Sequence, residues 1–178
     1  MVIVGSVRCE YETGAGRGEM VVRHKTASLF CAVLVGAFVS LGLGAAAMLM
    51  PFATKSVTAG IAAQTYASTL AFAGVPAMLY VSLRESRYGV GDSHGLMVAA
   101  LVANAVNIAL DVTLVWVLDF GVQGAAIATL ASYLVQVLCL VPRTRWRFLR
   151  PLREDIVALV KIGAPTGVQF VLEVGSFA

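Results

Sequence analysis

Five long apolar stretches dominate this chain, and their length is the feature that most limits its fold. They cover residues 27–53, 57–83, 96–118, 122–141 and 156–178. A helix needs about 20 predominantly apolar residues to cross the hydrocarbon core of a bilayer, and every stretch reaches that length. Soluble domains rarely have a composition in which 59% of the 178 residues are apolar and only 13% are charged, so the composition indicates a bilayer protein. The sequence therefore predicts an all-α integral membrane protein, a polytopic helical bundle in contact with the lipid bilayer.

The basic residues predict how this bundle is oriented. Arg and Lys occur before the first stretch, between the second and third, and between the fourth and fifth, whereas the other two connections hold only Lys55. Short loops rich in Lys and Arg stay on the cytoplasmic side of a membrane. We therefore expect the N-terminal segment and loops 84–94 and 143–155 to be cytoplasmic, in the cell (inner) membrane. The net charge of +3 is not arranged as a basic face, so we expect no nucleic-acid partner.

Polar residues line one face of the third stretch. Asn104, Asn107 and Asp111 follow the spacing i, i+3, i+7, which stacks them along a helix. A carboxylate at mid-membrane depth costs about 2.5 kcal/mol or more, so it usually faces the bundle interior, pairs with another group, or binds a cation or proton. The pattern favours a Na⁺ or proton site. The alternative is an acid near a helix end that reaches water.

The other polar residues in the apolar stretches allow two interpretations. Thr129, Ser132 and Gln136 form a second stripe, which either makes hydrogen bonds between helices or lines a cavity. Pro76 and Pro165 predict helix kinks, which are either static or part of a moving transport helix, and Gln64 adds a polar side chain upstream of Pro76. His24 and His94 have no ligand-spaced neighbours, so we expect no metal beyond Na⁺ and no organic cofactor.

Three sequence segments resemble one transporter family. The segments "LVANAVNIALDVTLVW", "FGVQGAAIATLASYLVQV" and "LVKIGAPTGVQFVLEVGSFA" are similar to helices five, six and seven of the multidrug and toxic compound extrusion (MATE) family, in particular its NorM-like branch. A weaker likeness, "TGAGRGE", matches the connection between helices two and three. Together the likeness covers nearly the whole chain, which corresponds to helices three to seven.

The resemblance implies a twelve-helix antiporter of two lobes that exports cationic or amphipathic small molecules against Na⁺ or H⁺. Within that frame, residues 1–25 correspond to a cytoplasmic segment with a remnant of helix two, and 26–142 to four helices of the amino-terminal lobe. Residues 143–155 correspond to the basic linker between lobes, and 156–178 to the first, truncated helix of the second lobe. We therefore expect a fragment that is inactive alone.

The resemblance also implies roles for individual residues. Asp111, with Asn104 and Asn107, matches the ion or proton site of the amino-terminal lobe, and Glu173 matches the helix-seven carboxylate, with Gln169 one turn before it.

Three other functions are weighed against this one. The first two are a related flippase for lipid-linked oligosaccharides and a non-transporting gene remnant. A membrane aspartyl hydrolase is the third, but it needs two acids on defined motifs, so we expect no enzyme activity.

Overall fold

The computed structural model of the chain describes residues 18–142 and 153–176, and within these ranges the chain consists of helices joined by short turns. The elements are α1 (Gly18–Ala53), α2 (Val57–Ala71), α3 (Gly74–Tyr88), α4 (Ser93–Asp111), a π-helical segment (Val112–Val117), α5 (Gly121–Leu140) and α6 (Arg153–Ser176). No strand occurs in the described ranges. The predicted all-α architecture is confirmed.

The helices agree with the predicted apolar stretches. In the described part of the chain, α1, α4 with the π-helical segment, and α5 are each long and apolar enough to cross a membrane. The pair α2 and α3 passes the same test together, bent by 49°. Large apolar side chains point outward, as in Phe38 (77% exposed) and Phe52 (88% exposed), which suits a surface in contact with lipid. The fifth predicted span falls on α6 and stays a prediction.

Two of the predicted segments, residues 1–25 and the linker 143–155, are only partly described. Helix α1 begins at Gly18, so it takes in the end of the predicted segment 1–25. Residues 1–17, 143–152 and 177–178 lie outside the described residues, and with them most of the predicted linker 143–155.

The second predicted span is broken between α2 and α3, at Phe72 and Ala73. At the break the amide of Phe72 donates to the carbonyl of Thr69 (3.3 Å) and the amide of Ala73 to that of Leu70 (2.8 Å). Proline lacks an amide hydrogen, and its ring clashes with the carbonyl four residues before it. For Pro76 that carbonyl belongs to Phe72. The bend therefore lies just ahead of the proline, which stands in the first turn of α3.

Helix α1 packs against this break through glycines. A Cβ atom added at Gly36 would lie 2.7 Å from the Cα of Val75 and 2.9 Å from the carbonyl oxygen of Gly74. One added at Gly74 would lie 2.4 Å from Oγ of Ser40. Small residues allow helix backbones to approach closely in membranes, where van der Waals packing drives association. The bend is thus held against α1 by direct backbone contact.

The helix ends that carry the basic loops meet at one end of the bundle. Ser28 of α1 shares a 2.6 Å hydrogen bond with Ser82 of α3, and Arg23 of α1 pairs with Asp155 of α6. A buried cluster next to them joins the end of α3, the start of α4 and the end of α5: Leu83, Leu96, Ala99 and Leu140. The helices therefore alternate in direction as the Lys and Arg distribution predicts, although which end is cytoplasmic stays a prediction.

Candidate ion-coupling site

The polar stripe of α4 lies at the edge of the buried face of the helix. Ala103, which is 0% exposed, marks that face. At about 100° per residue, Asn107 lies about 40° around the helix from Ala103, Asp111 about 80° and Asn104 about 100°. Burial follows this order, since Asn107 and Asp111 are half-buried and Asn104 is exposed. The structure therefore brings Asn107 and Asp111 toward the packed side of α4 and leaves Asn104 on the outer side.

Asp111 carries a buried oxygen without a partner. Its Oδ1 atom is inaccessible to solvent and accepts no hydrogen bond. A charged oxygen in that position has lost its water without gaining a donor, which is unfavourable in an apolar environment. A proton on the carboxyl group or a cation beside it would remove this cost. The geometry at Asp111 is thus suited to taking up a positive charge.

A π-helical segment begins directly after Asp111. The amide of Leu118 donates to the carbonyl of Thr113, five residues earlier (3.0 Å), and the amide of Phe120 donates to the carbonyl of Leu114 (2.9 Å). The sequence predicted one uninterrupted span over 96–118. π-helices make up well under 1% of residues in proteins and are frequent at functional sites. This element is a feature of the site that sequence reasoning missed.

Helix α5 runs antiparallel to α4 and forms the other side of the candidate site. Leu114 of the π-helical segment lies against Gly124 near the start of α5, and Ala99 of α4 shares a buried cluster with Leu140 at its end. This register brings Thr129 to within about one turn of the depth of Asp111. By the same register Ser132 lies near the depth of Asn107, and Gln136 near that of Asn104. The two polar stripes therefore run side by side in opposite directions.

The hydroxyl groups on α5 bond to their own helix. Oγ1 of Thr129 donates to the carbonyl of Ala125 (3.0 Å), and Oγ of Ser132 donates to the carbonyl of Thr129 (2.8 Å). Gln136 is half-buried, and its Oε1 atom is a second buried oxygen that accepts no hydrogen bond. The α5 stripe thus contributes a second unused acceptor, which by this register lies near the depth of Asn104 rather than that of Asp111.

The remaining predicted site residues belong to other helices. Gln64 is half-buried on α2, a helix that packs against α5. Pro165 lies inside α6. Gln169 and Glu173 belong to the same helix, but their side chains lie outside the described residues.

A cluster of charged side chains, separate from the candidate ion site, connects α6 to α1. Nε and one terminal nitrogen of Arg23 donate to Oδ2 of Asp155 at 3.2 and 3.0 Å, and Nδ1 of His24 lies 3.7 Å from Oδ1. Asp155 is only 5% exposed and stands in the first turn of α6, where an acid is favoured by the helix dipole. In the sequence, the feature that could have indicated this ion pair is an acid at the start of a helix, directly after a basic loop.

Comparisons with known proteins agree with this fold. No protein-family model matches the chain, and no curated protein matches its sequence. Among solved structures, the chain is similar to the crystal structure of MATE in the bent conformation, with a TM-score of 0.85 and 25% sequence identity. The match covers 97% of this chain and 41% of that one. The chain therefore has a MATE-like fold and spans less than half the length of the structure it matches.

Proposed function

We propose that this chain forms the ion-coupling part of an efflux antiporter of the inner membrane. In this proposal cationic or amphipathic small molecules leave the cell in exchange for inward Na⁺ or H⁺. The observation that carries the proposal is the unpartnered, buried Oδ1 atom of Asp111 within an apolar helix of a MATE-like fold. An acid in such a position is retained where it binds and releases a positive charge.

The mechanism follows from the difference between the charged and neutral states of Asp111. Without a cation or proton, the carboxylate favours an arrangement in which water reaches it. With one bound, the neutral site favours burial between α4 and α5. An ion that binds one arrangement more tightly shifts the population toward it, and a substrate that favours the other arrangement is released in exchange.

Neighbouring amides extend this site along α4. Asn107 lies on the same half-buried flank as Asp111, and its carbonyl oxygen is a suitable second ligand for Na⁺. Asn104 takes the next position on the exposed side. Glu173, with Gln169 one turn before it, forms the second acidic site of the proposal.

Substrate contacts are assigned in this proposal to four polar side chains of the apolar helices: Thr129, Ser132 and Gln136 on α5 and Gln64 on α2.

The experiment measures ethidium efflux from loaded cells, with expression checked by blot. Since the chain spans 41% of the solved MATE protein, it is tested alone and as a chimera in which it replaces the matching part of that protein. We expect efflux from the chimera and none from the chain alone, because alternating access needs two lobes that move against each other. In the chimera, Asp111→Asn and Glu173→Gln should each abolish efflux.

The matched control is Asp119→Asn, an exposed acid in the turn after the π-helical segment. Asn tolerates the positive φ of 54° at this position, so efflux should stay normal. Full efflux in both Asp111→Asn and Glu173→Gln would refute the site. Movement of lipid-linked sugars without ethidium efflux would favour the flippase.

A further inference from the structure

We infer that Gly124 and the π-helical segment Val112–Val117 position the carboxylate of Asp111, which makes Gly124 a positioning residue of the ion site. This inference rests on the proposed function of Asp111 as the group that binds a cation or proton. It adds a second helix to that site, because Gly124 belongs to α5 and Asp111 to α4.

The π-helical segment needs an explanation because this conformation is rarely stable by itself. Its bonds close wider turns than those of an α-helix, as the Thr113–Leu118 bond does. Unfavourable backbone conformations persist where the surrounding packing maintains them. One additional residue in the turn also rotates everything after it by about 100° relative to a continued α-helix. The packing that maintains the segment therefore also sets the direction of the chain after Asp111.

The packing partner is Gly124. A Cβ atom at this buried position would lie 3.0 Å from Cβ of Leu114, 3.1 Å from its carbonyl carbon and 3.2 Å from its carbonyl oxygen. Two of these three atoms belong to the backbone and cannot move away by rotation of a side chain. A methyl group at residue 124 therefore displaces the π-helical backbone by a few tenths of an ångström.

Such a displacement reaches Asp111 because that residue is the last one of α4. The hydrogen-bond pattern changes from α to π at this point, and Oγ1 of Thr113 reaches back to the carbonyl of Ala109 (2.7 Å). Oδ1 of Asp111 accepts no hydrogen bond, so packing alone sets the position of that oxygen. Binding groups need to be held to within about 0.5 Å of the productive geometry. The Gly124–Leu114 contact therefore sets the affinity of the carboxylate for its ion.

The π-helical segment contains its own reporter. Trp116 is 85% exposed, and the only other tryptophan of the chain is Trp146. In a Trp146→Phe background, the purified chain is placed in lipid nanodiscs and the emission of Trp116 is recorded. One titration adds NaCl at constant ionic strength and pH 8, and another lowers the pH in the absence of Na⁺. Because His94 on α4 and Asp119 in the turn after the π-helical segment are also ionisable groups, Asp111→Asn is measured in both series.

We expect a saturable change in Trp116 emission with Na⁺ or with protons, and its loss in Asp111→Asn. Gly124→Ala should keep the amplitude and move the half-saturation point by about tenfold, since a misplacement of about 1 Å changes rates or affinities by up to about a hundredfold. The matched control is Gly42→Ala on α1, where a Cβ atom would meet nothing within 4 Å. Its half-saturation point should equal that of the reference, which is the Trp146→Phe chain without a further change.

The outcomes separate this inference from the proposed function. A half-saturation point in Gly124→Ala within twofold of the reference, with the Asp111→Asn response lost, overturns the positioning role alone. No response in the reference, or an unchanged response in Asp111→Asn, overturns the ion site and with it the inference. If Gly124→Ala loses its helical circular dichroism signal, a variant that lacks Val115 is tested in its place. Removing one residue from the π turn should also shift the half-saturation point of the Trp116 response.

Discussion

Replacing Gly36 by alanine should destabilise the chain, whereas the same change at Gly42 should not. Both glycines lie inside α1, six residues apart, so their intrinsic helix propensities are equal. An added Cβ would lie 2.7 Å from the Cα of Val75 at Gly36, but would meet nothing within 4 Å at Gly42. The difference between the two variants therefore measures the close packing of α1 on the break before α3.

The magnitude follows from two opposing effects. Alanine in place of a helical glycine contributes about 0.5–1 kcal/mol of stability in either variant. Overpacking typically costs about 1–3 kcal/mol, and the contact atoms at Gly36 are backbone atoms of Val75 and Gly74 that cannot rotate away. Because the helix term is common to both variants, we expect Gly36→Ala to be less stable than Gly42→Ala by about 1–3 kcal/mol.

Thermal unfolding in lipid nanodiscs, followed by circular dichroism at 222 nm, measures this difference. Gly36→Ala should unfold at a lower temperature than the reference, and Gly42→Ala at the same or a higher temperature. Equal unfolding temperatures for the two variants would refute the reasoning, because the backbone contact would then contribute nothing to stability.

Three further predictions concern the end of the bundle where the basic loops meet. Arg23→Gln should lower the free energy of unfolding by about 2 kcal/mol, which is less than the roughly 3–5 kcal/mol expected for a fully buried pair. The loss is smaller because the Arg23 side chain is 28% exposed, whereas that of Asp155 is 6% exposed. An unchanged unfolding temperature would contradict this prediction. Ser82→Ala should cost only about 1 kcal/mol, the typical value of a hydrogen bond between membrane helices, and a much larger loss in the same assay would show another role. A cysteine introduced as Ser93→Cys should resist a membrane-impermeant maleimide added from the periplasmic side, and ready labelling would reverse the topology.

The helices were predictable because the length of an apolar stretch is a local property of the sequence. Helix α5 runs from Gly121 to Leu140 where residues 122–141 were expected, and α1 ends at Ala53 as expected. The start of α1 was missed by nine residues, since charged residues such as Arg23 and Lys25 continue a helix beyond its apolar part. Periodicity and apolar length therefore identify the spans but not their polar extensions.

The irregular backbone was less predictable because it depends on contacts between helices. The residues of the π-helical segment, "VTLVWV", would fit an ordinary α-helix in a membrane. In the folded chain Leu114 of this segment packs on Gly124, ten residues away in the sequence. Similarly, Pro76 indicated a kink, but the position of the break also involves the contact of Gly74 with α1.

Asp111 could be singled out from the sequence because a carboxylate inside an apolar span is costly and therefore rare. The positions of the amides relative to the packed side were harder to predict. The spacing of Asn104, Asn107 and Asp111 places all three on one flank of α4. Only the placement of α5 determines that Asn107 is half-buried and Asn104 exposed. The sequence thus identifies the candidate residues and their spacing, whereas their burial depends on the packing of the helices.

The break between α2 and α3 also has a consequence for membrane insertion. Each of the two helices has 15 residues and is about 22 Å long, whereas the hydrocarbon core is about 30 Å thick. Neither helix alone is long enough to cross the core, whereas the two together are. Helix α1 precedes the bent pair in the chain and leaves the ribosome before it, so the face of α1 around Gly36 is available when the pair arrives.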